Sequence, residues 1–133
     1  INQYLLQQKI EKDESFDFFI INKVPTNLKL PSLMIQPIIE NIIQHGLADN
    51  NKGELTIIFE QTLDSYIQIK FIENGKGFDL KDQISNSSHR ALNIISDRIN
   101  LYKEQPTYEK VSIHSYHENN GFIIILILPY HEN

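Results

Sequence analysis

The chain is 133 residues long, has 17 acidic against 12 basic side chains for a net charge of −5, and contains no cysteine. That length suits one domain with a core that needs no staple, and the missing thiols exclude disulfide frameworks and thiolate metal sites. A reducing compartment, the cytoplasm, is the default. The Lys and Arg residues stand singly rather than in a stripe, so neither nucleic acid nor anionic membrane is an expected partner.

Residues 1–13 place Tyr4, Leu5 and Ile10 among Gln, Glu and Lys, a short and weakly amphipathic helix. The chain opens inside this pattern at Ile1, which reads as a fragment of a longer protein that carries any membrane segments elsewhere. The strand-like "SFDFFII" follows. From Leu30 to His45 the apolar residues Met34, Ile35, Ile38, Ile39, Ile42 and Ile43 recur at helical spacing, and Gly46 supplies the left-handed residue that closes many helices. Pro37 either kinks this helix or sits in the first turn of one that properly starts at Gln36.

The segments "ELTIIFEQ" at 54–61 and "YIQIKFI" at 66–72 read as an antiparallel hairpin, because Ile67, Ile69 and Phe71 alternate with Gln68 and Lys70. Residues 79–88 form the longest irregular stretch, a candidate mobile loop. A second helix is expected at about 91–104, with Leu92, Ile95, Ile99 and Tyr102 on one face. "KVSIHSYH" and "FIIILILP" then flank "ENNG", a strong hairpin signal. The apolar run at 122–128 is too short to span a bilayer as a helix, and no signal segment opens the chain. The sum is an α/β (α+β) fold: a two-layer sandwich with a mixed, mostly antiparallel sheet of about five strands and helices on one face, in a single domain over 1–133.

Two features of this pattern ask for a ligand. Asn41 interrupts an apolar helix face, where an unpartnered amide costs a few kcal/mol, roughly what one good core side chain contributes. Glu73 ends a core strand and opens "ENGKG", in which Gly75 and Gly77 let the backbone turn sharply and approach a ligand. Each has a plainer reading. Asn41 can bond a neighbouring carbonyl, Glu40 can be a solvated carboxylate, His45 can favour the negative end of its helix, and the glycines can serve the turn alone. His114 and His117 are three apart on a strand and face opposite sides, which argues against a metal site there.

Taken together, Pro31, Gln36, Pro37, Glu40, Asn41, His45 and Gly46, followed some thirty residues on by Glu73, Gly75 and Gly77, resemble the GHKL (Bergerat-type) ATPase superfamily, and within it the catalytic domain of LytS-type sensor histidine kinases. The resemblance covers nearly the whole chain. It implies that Asn41 holds Mg²⁺ through its carboxamide oxygen, that His45 meets the phosphates or ribose, and that Glu40 orients a metal-bound water or the phosphoacceptor. Glu40, Asn41 and His45 would thus be the catalytic group.

Glu73 would accept the adenine amino hydrogen, with Gly75 and Gly77 leaving room for the base. Residues 79–90 would form a lid over the phosphates, Arg90 and Leu92 belong to its closing motif, and Arg98 on the following helix has a structural role. The chain departs from the pattern in three places. Glu73 replaces the usual Asp and is longer by about 1.5 Å, His89 and Ala91 replace two lid glycines, and Gln44 stands where many relatives have Lys.

The implied activity is that of a protein histidine kinase using ATP and Mg²⁺, in which the γ-phosphoryl group passes to a histidine on a dimerisation helix and then to a response regulator. No histidine of this chain resembles the phosphoacceptor. The expected setting is a cytoplasmic domain of an inner-membrane-anchored bacterial protein, homodimeric through helices upstream, with no membrane contact of its own. A non-catalytic nucleotide-binding or scaffolding module is the alternative, and an ATP hydrolase is disfavoured by Pro37, which stands where hydrolytic relatives often carry a general-base Glu.

Overall fold

The computed structural model describes residues 16–24, 28–29, 32–43, 53–62, 65–75, 77, 90–106, 110–118, 121–129 and 131–132. Five strands form the main sheet: β1 (Phe16–Asn22), β3 (Gly53–Gln61), β4 (Tyr66–Glu73), β5 (Ser112–Glu118) and β6 (Gly121–Pro129). Their spatial order is β1-β3-β4-β6-β5. A second, two-stranded sheet pairs β2 (Leu28–Lys29) antiparallel with β7 (His131–Glu132). The two described helices are α1 (Ser32–Asn41) and α2 (Arg90–Lys103).

Both expected hairpins are present, β3 with β4 and β5 with β6, and β4 with β6 is antiparallel as well. The β1–β3 pair is parallel, with Phe16 opposite Gly53 and Asn22 opposite Phe59. The sheet is therefore mixed, and α1 belongs to the crossover that a parallel pair requires.

Alternation along the strands sends one set of side chains to each face. The covered face carries Leu55, Ile57 and Phe59 of β3, Ile67, Ile69 and Phe71 of β4, and Phe122, Ile124, Leu126 and Leu128 of β6, all buried. Ile35, Ile38, Ile39, Ile42 and Ile43 from α1 and just after it, with Ile95 and Ile99 of α2, complete one hydrophobic cluster with them. Fully burying a side chain of this size contributes about 1.5–3 kcal/mol, so this interface dominates the packing. No described helix covers the other face. The register aligns Phe19, Thr56, Ile72, Ile123 and Tyr116 in one row across it, with Phe19 and Tyr116 exposed.

The helix expected from Leu30 to His45 is described over Ser32–Asn41, while Leu30, Pro31, Gln44 and His45 lie outside the described residues. It runs through Pro37, so Pro37 is an interior residue and not a first-turn one. Past Asn41 the coil widens to a π turn at Ile42 and Ile43. The expectations for residues 1–13, for His45 and Gly46, and for the 79–89 lid lie outside the described residues.

Candidate functional site

The covered face ends in a row formed by Phe18, Leu55, Glu73, Phe122 and His117. Glu73 continues the inward series Ile67, Ile69, Phe71 on β4, and the same alternation that buries those residues buries it, at 1% exposure. Apart from the nearby Gly77 backbone amide, its carboxylate oxygens have no partner among the described residues. Burial raises its pKa from the ordinary 4.5 to about 7, against a smaller opposing pull from the Gly77 backbone amide.

Asn41 enters the same interior from the helix layer. It is 5% exposed, sits between the buried Ile38 and Ile42, and its Nδ2 has no partner among the described residues. The helix geometry changes immediately after it, and π turns inside helices recur at functional positions. An unsatisfied buried amide costs about 1–3 kcal/mol, and Glu73 adds a carboxyl with only the Gly77 backbone amide nearby. Such groups are tolerated where a ligand completes them.

Three local devices hold the end of β4 in shape. Asn74 donates its backbone N–H to the Glu54 carbonyl at 3.2 Å and accepts the Glu54 N–H on its side-chain oxygen at 2.8 Å. The side chain replaces the backbone carbonyl that would otherwise close the ladder, which releases the main chain to turn. Gly75 is buried, and Gly77 has a φ of +71°. A Cβ on Gly77 would overlap the Phe122 ring, coming within 2.6 Å of its Cδ1. A side chain at 77 would thus have to displace Phe122.

Glu40 is exposed on α1, one residue from Asn41, and so lies at the surface beside the buried amide. Arg90 and Leu92 belong to the first turn of α2. His45 lies outside the described residues. Sequence reasoning missed Asn74, although Asn followed by Gly is a turn signal in its own right, and it missed the π turn.

No family model matches the chain. The sensor protein LytS of Oceanobacillus iheyensis is 30% identical over 112 residues, which is 78% of this chain and 19% of that protein. Among solved structures, the catalytic domain of histidine kinase ThkA superposes with a TM-score of 0.66 at 16% identity, over 95% of this chain and 87% of that one. The mycobacterial sensor histidine kinase MprB gives 0.70 at 11% identity, over 99% and 93%. The chain belongs to the GHKL family of ATP-binding domains, in the branch found in sensor histidine kinases. At these identities the structural matches show the fold, and the sequence match to LytS carries the family.

This kinase-type domain also has a shallow hollow of about 350 Å³, lined among others by Glu54, Thr56, Lys70, Ile72, Glu118 and Ile123. Thr56, Lys70, Ile72 and Ile123 belong to the face of the sheet that no described helix covers, whereas Asn41 and the Glu73 side chain lie on the helix-covered side. The hollow is also lined by Glu73 and Asn74, so it adjoins the end of β4 whose Glu73 side chain turns to the opposite face. His114 and His117 face opposite sides, as their spacing requires, and no cluster of metal-ligating side chains exists among the described residues. Arg98 is exposed on α2 beside Leu101 and Tyr102.

Proposed function

We propose that this domain binds ATP with Mg²⁺ between its helix layer and sheet, and that within a longer protein it transfers the γ-phosphoryl group to a histidine. The carrying observation is a pair of buried polar side chains: Asn41, whose Nδ2 has no partner among the described residues, and Glu73, whose carboxylate has only the Gly77 backbone amide nearby. A half-turn of the Asn41 amide exchanges nitrogen for oxygen, giving the neutral oxygen ligand that suits Mg²⁺ when phosphates supply the rest. Mg²⁺, when bound, neutralises charge on the phosphates. Glu73 reads the adenine edge, and the glycine turn shapes the wall beside it.

In the transfer step the bond from the γ-phosphorus to the bridging oxygen of ADP breaks and a phosphorus–nitrogen bond to the acceptor imidazole forms. Glu40, exposed beside Asn41, faces the entering acceptor or a water that the metal orients. His45, Arg90 and Leu92 complete the phosphate end. Catalysis here is positioning and electrostatics, because a neutral imidazole is already a competent nucleophile. The chain spans 19% of the LytS sensor it matches. The acceptor helix, homodimer, membrane anchor and response regulator accordingly belong to the longer protein of this reading. None of the described helices is long and apolar enough to cross a membrane.

Titration calorimetry with a non-hydrolysable ATP analogue, with and without Mg²⁺, tests the reading. Saturable binding that tightens with Mg²⁺ is the expected result. No heat at millimolar nucleotide would sink it.

A further inference from the structure

Resting on the adenine reading of Glu73 above, we propose that this residue receives the base as a neutral acid through two hydrogen bonds, so that nucleotide binding takes up a proton.

The geometry around the carboxyl favours the uncharged form. Its cross-strand neighbours on the same face are Leu55 and Phe122, and Phe71 precedes it on its own strand. The next side chain in the row is His117 on β5, whose ring sits 4.9 Å from that of Phe122 and which is exposed. Glu54 and Glu118 are on the opposite face of the sheet, and Glu40, Asp97 and Arg98 are exposed on the helices. Asn41 is uncharged. Among the described residues no cation forms an ion pair with Glu73. A carboxylate in such a place is desolvated and compensated only by the Gly77 backbone amide, the smaller of the two effects, whereas the acid loses far less by burial.

Base recognition points the same way. A neutral carboxyl presents an O–H donor beside a C=O acceptor. The adenine edge presents the N1 acceptor beside the N6–H donor, so the two edges meet in two hydrogen bonds at once. An ionised carboxylate only accepts, satisfies the amino group, and sets its second oxygen against the N1 lone pair. The guanine edge is the reverse case, since its N1–H and N2–H donors suit the carboxylate. Holding Glu73 protonated therefore selects adenine, and ionising it erodes that selection. Burial already carries the carboxyl to about pH 7 before any ligand arrives, which puts the transition within the physiological range.

The test is calorimetric titration of Mg·ADP into the chain and into its Glu73→Gln variant from pH 5.5 to 8.5, in two buffers of different ionisation enthalpy. Wild type is expected to bind about tenfold more weakly at pH 8 than at pH 6, with close to one proton taken up per nucleotide at pH 8. The amide of Glu73→Gln offers the same donor and acceptor without a proton. It is expected to bind like wild type at pH 6, with a flat profile apart from the titration of the phosphates, which the two proteins share. If wild type takes up no more protons than Glu73→Gln does, and Glu73→Gln binds at least tenfold more weakly at pH 6, Glu73 acts as an anion. The proposal then falls while the adenine reading stands. If neither protein binds Mg·ADP at any pH while both remain folded by circular dichroism, the nucleotide reading fails and takes this proposal with it.

Discussion

Asn74 and Glu54 are joined by two hydrogen bonds, one from the Asn74 backbone N–H at 3.2 Å and one into its side-chain oxygen at 2.8 Å. The second bond stands in for a main-chain carbonyl, so the strand that carries Glu73 is anchored to its neighbour at the point where the chain leaves the sheet. Replacing Asn74 by Ala leaves the Glu54 N–H without that acceptor and frees the turn. The expected cost is about 1 kcal/mol of stability by urea unfolding, accompanied by weaker nucleotide binding. Asn74→Asp keeps an acceptor in place and should retain more of both.

Asn41→Asp should separate the metal from the base. The substitution puts a charge where a neutral oxygen is expected, and leaves Glu73 and its turn untouched. Binding of an ATP analogue is expected to change severalfold in the presence of Mg²⁺ and far less in its absence. Equal loss under both conditions would make Asn41 a structural residue.

Glu73 also links stability to pH in the absence of ligand. Its folded pKa, about 7, lies above the ordinary 4.5, so the folded state holds a proton that the unfolded chain gives up. The associated stability is fully present below about pH 4.5 and is lost as pH rises through about 7, a total on the order of 3 kcal/mol. Denaturant midpoints measured from pH 4.5 to 8 should fall accordingly. Glu73→Gln should flatten that part of the profile.

Gly77→Ala should be costly for two reasons that add. A positive φ of 71° disfavours any side chain there, and the new methyl would collide with the Phe122 ring. Together they are expected to remove about 2–4 kcal/mol, read as a lower melting temperature.

The parts of this fold that were legible in the sequence are those with a period. Ile67, Ile69 and Phe71 announce the covered face of β4, and the Asn-Gly pair announces the β5–β6 hairpin. Asn41 and Glu73 stood out because each is polar where that period calls for an apolar residue. The parallel partner of β1 left no such trace, since alternation along a strand reports which side is covered and not which strand lies alongside. The place of Pro37 in α1 was blurred, since proline suits a first turn as well as the interior position it holds. The π turn after Asn41 preserves the Ile38, Ile39, Ile42, Ile43 spacing and so hides within it. β2 and β7 are too short to show any period.

The parallel pairing of β1 with β3 bears on how the chain assembles. Phe16 meets Gly53 across a long connection, whereas β3 with β4 and β5 with β6 are joined by short hairpins. Closing the long connection costs entropy that only a formed β3 and a docked α1 can repay. The hairpins therefore come first in the folding order, and β1 is added to an already standing edge. Substitutions at Phe18 or Ile20 should then accelerate unfolding while leaving the refolding rate nearly unchanged. Until β1 arrives, β3 presents unpaired backbone and the side chains of Leu55, Ile57 and Phe59 along an open edge, and that interval is when nascent chains are most exposed to sticking to one another.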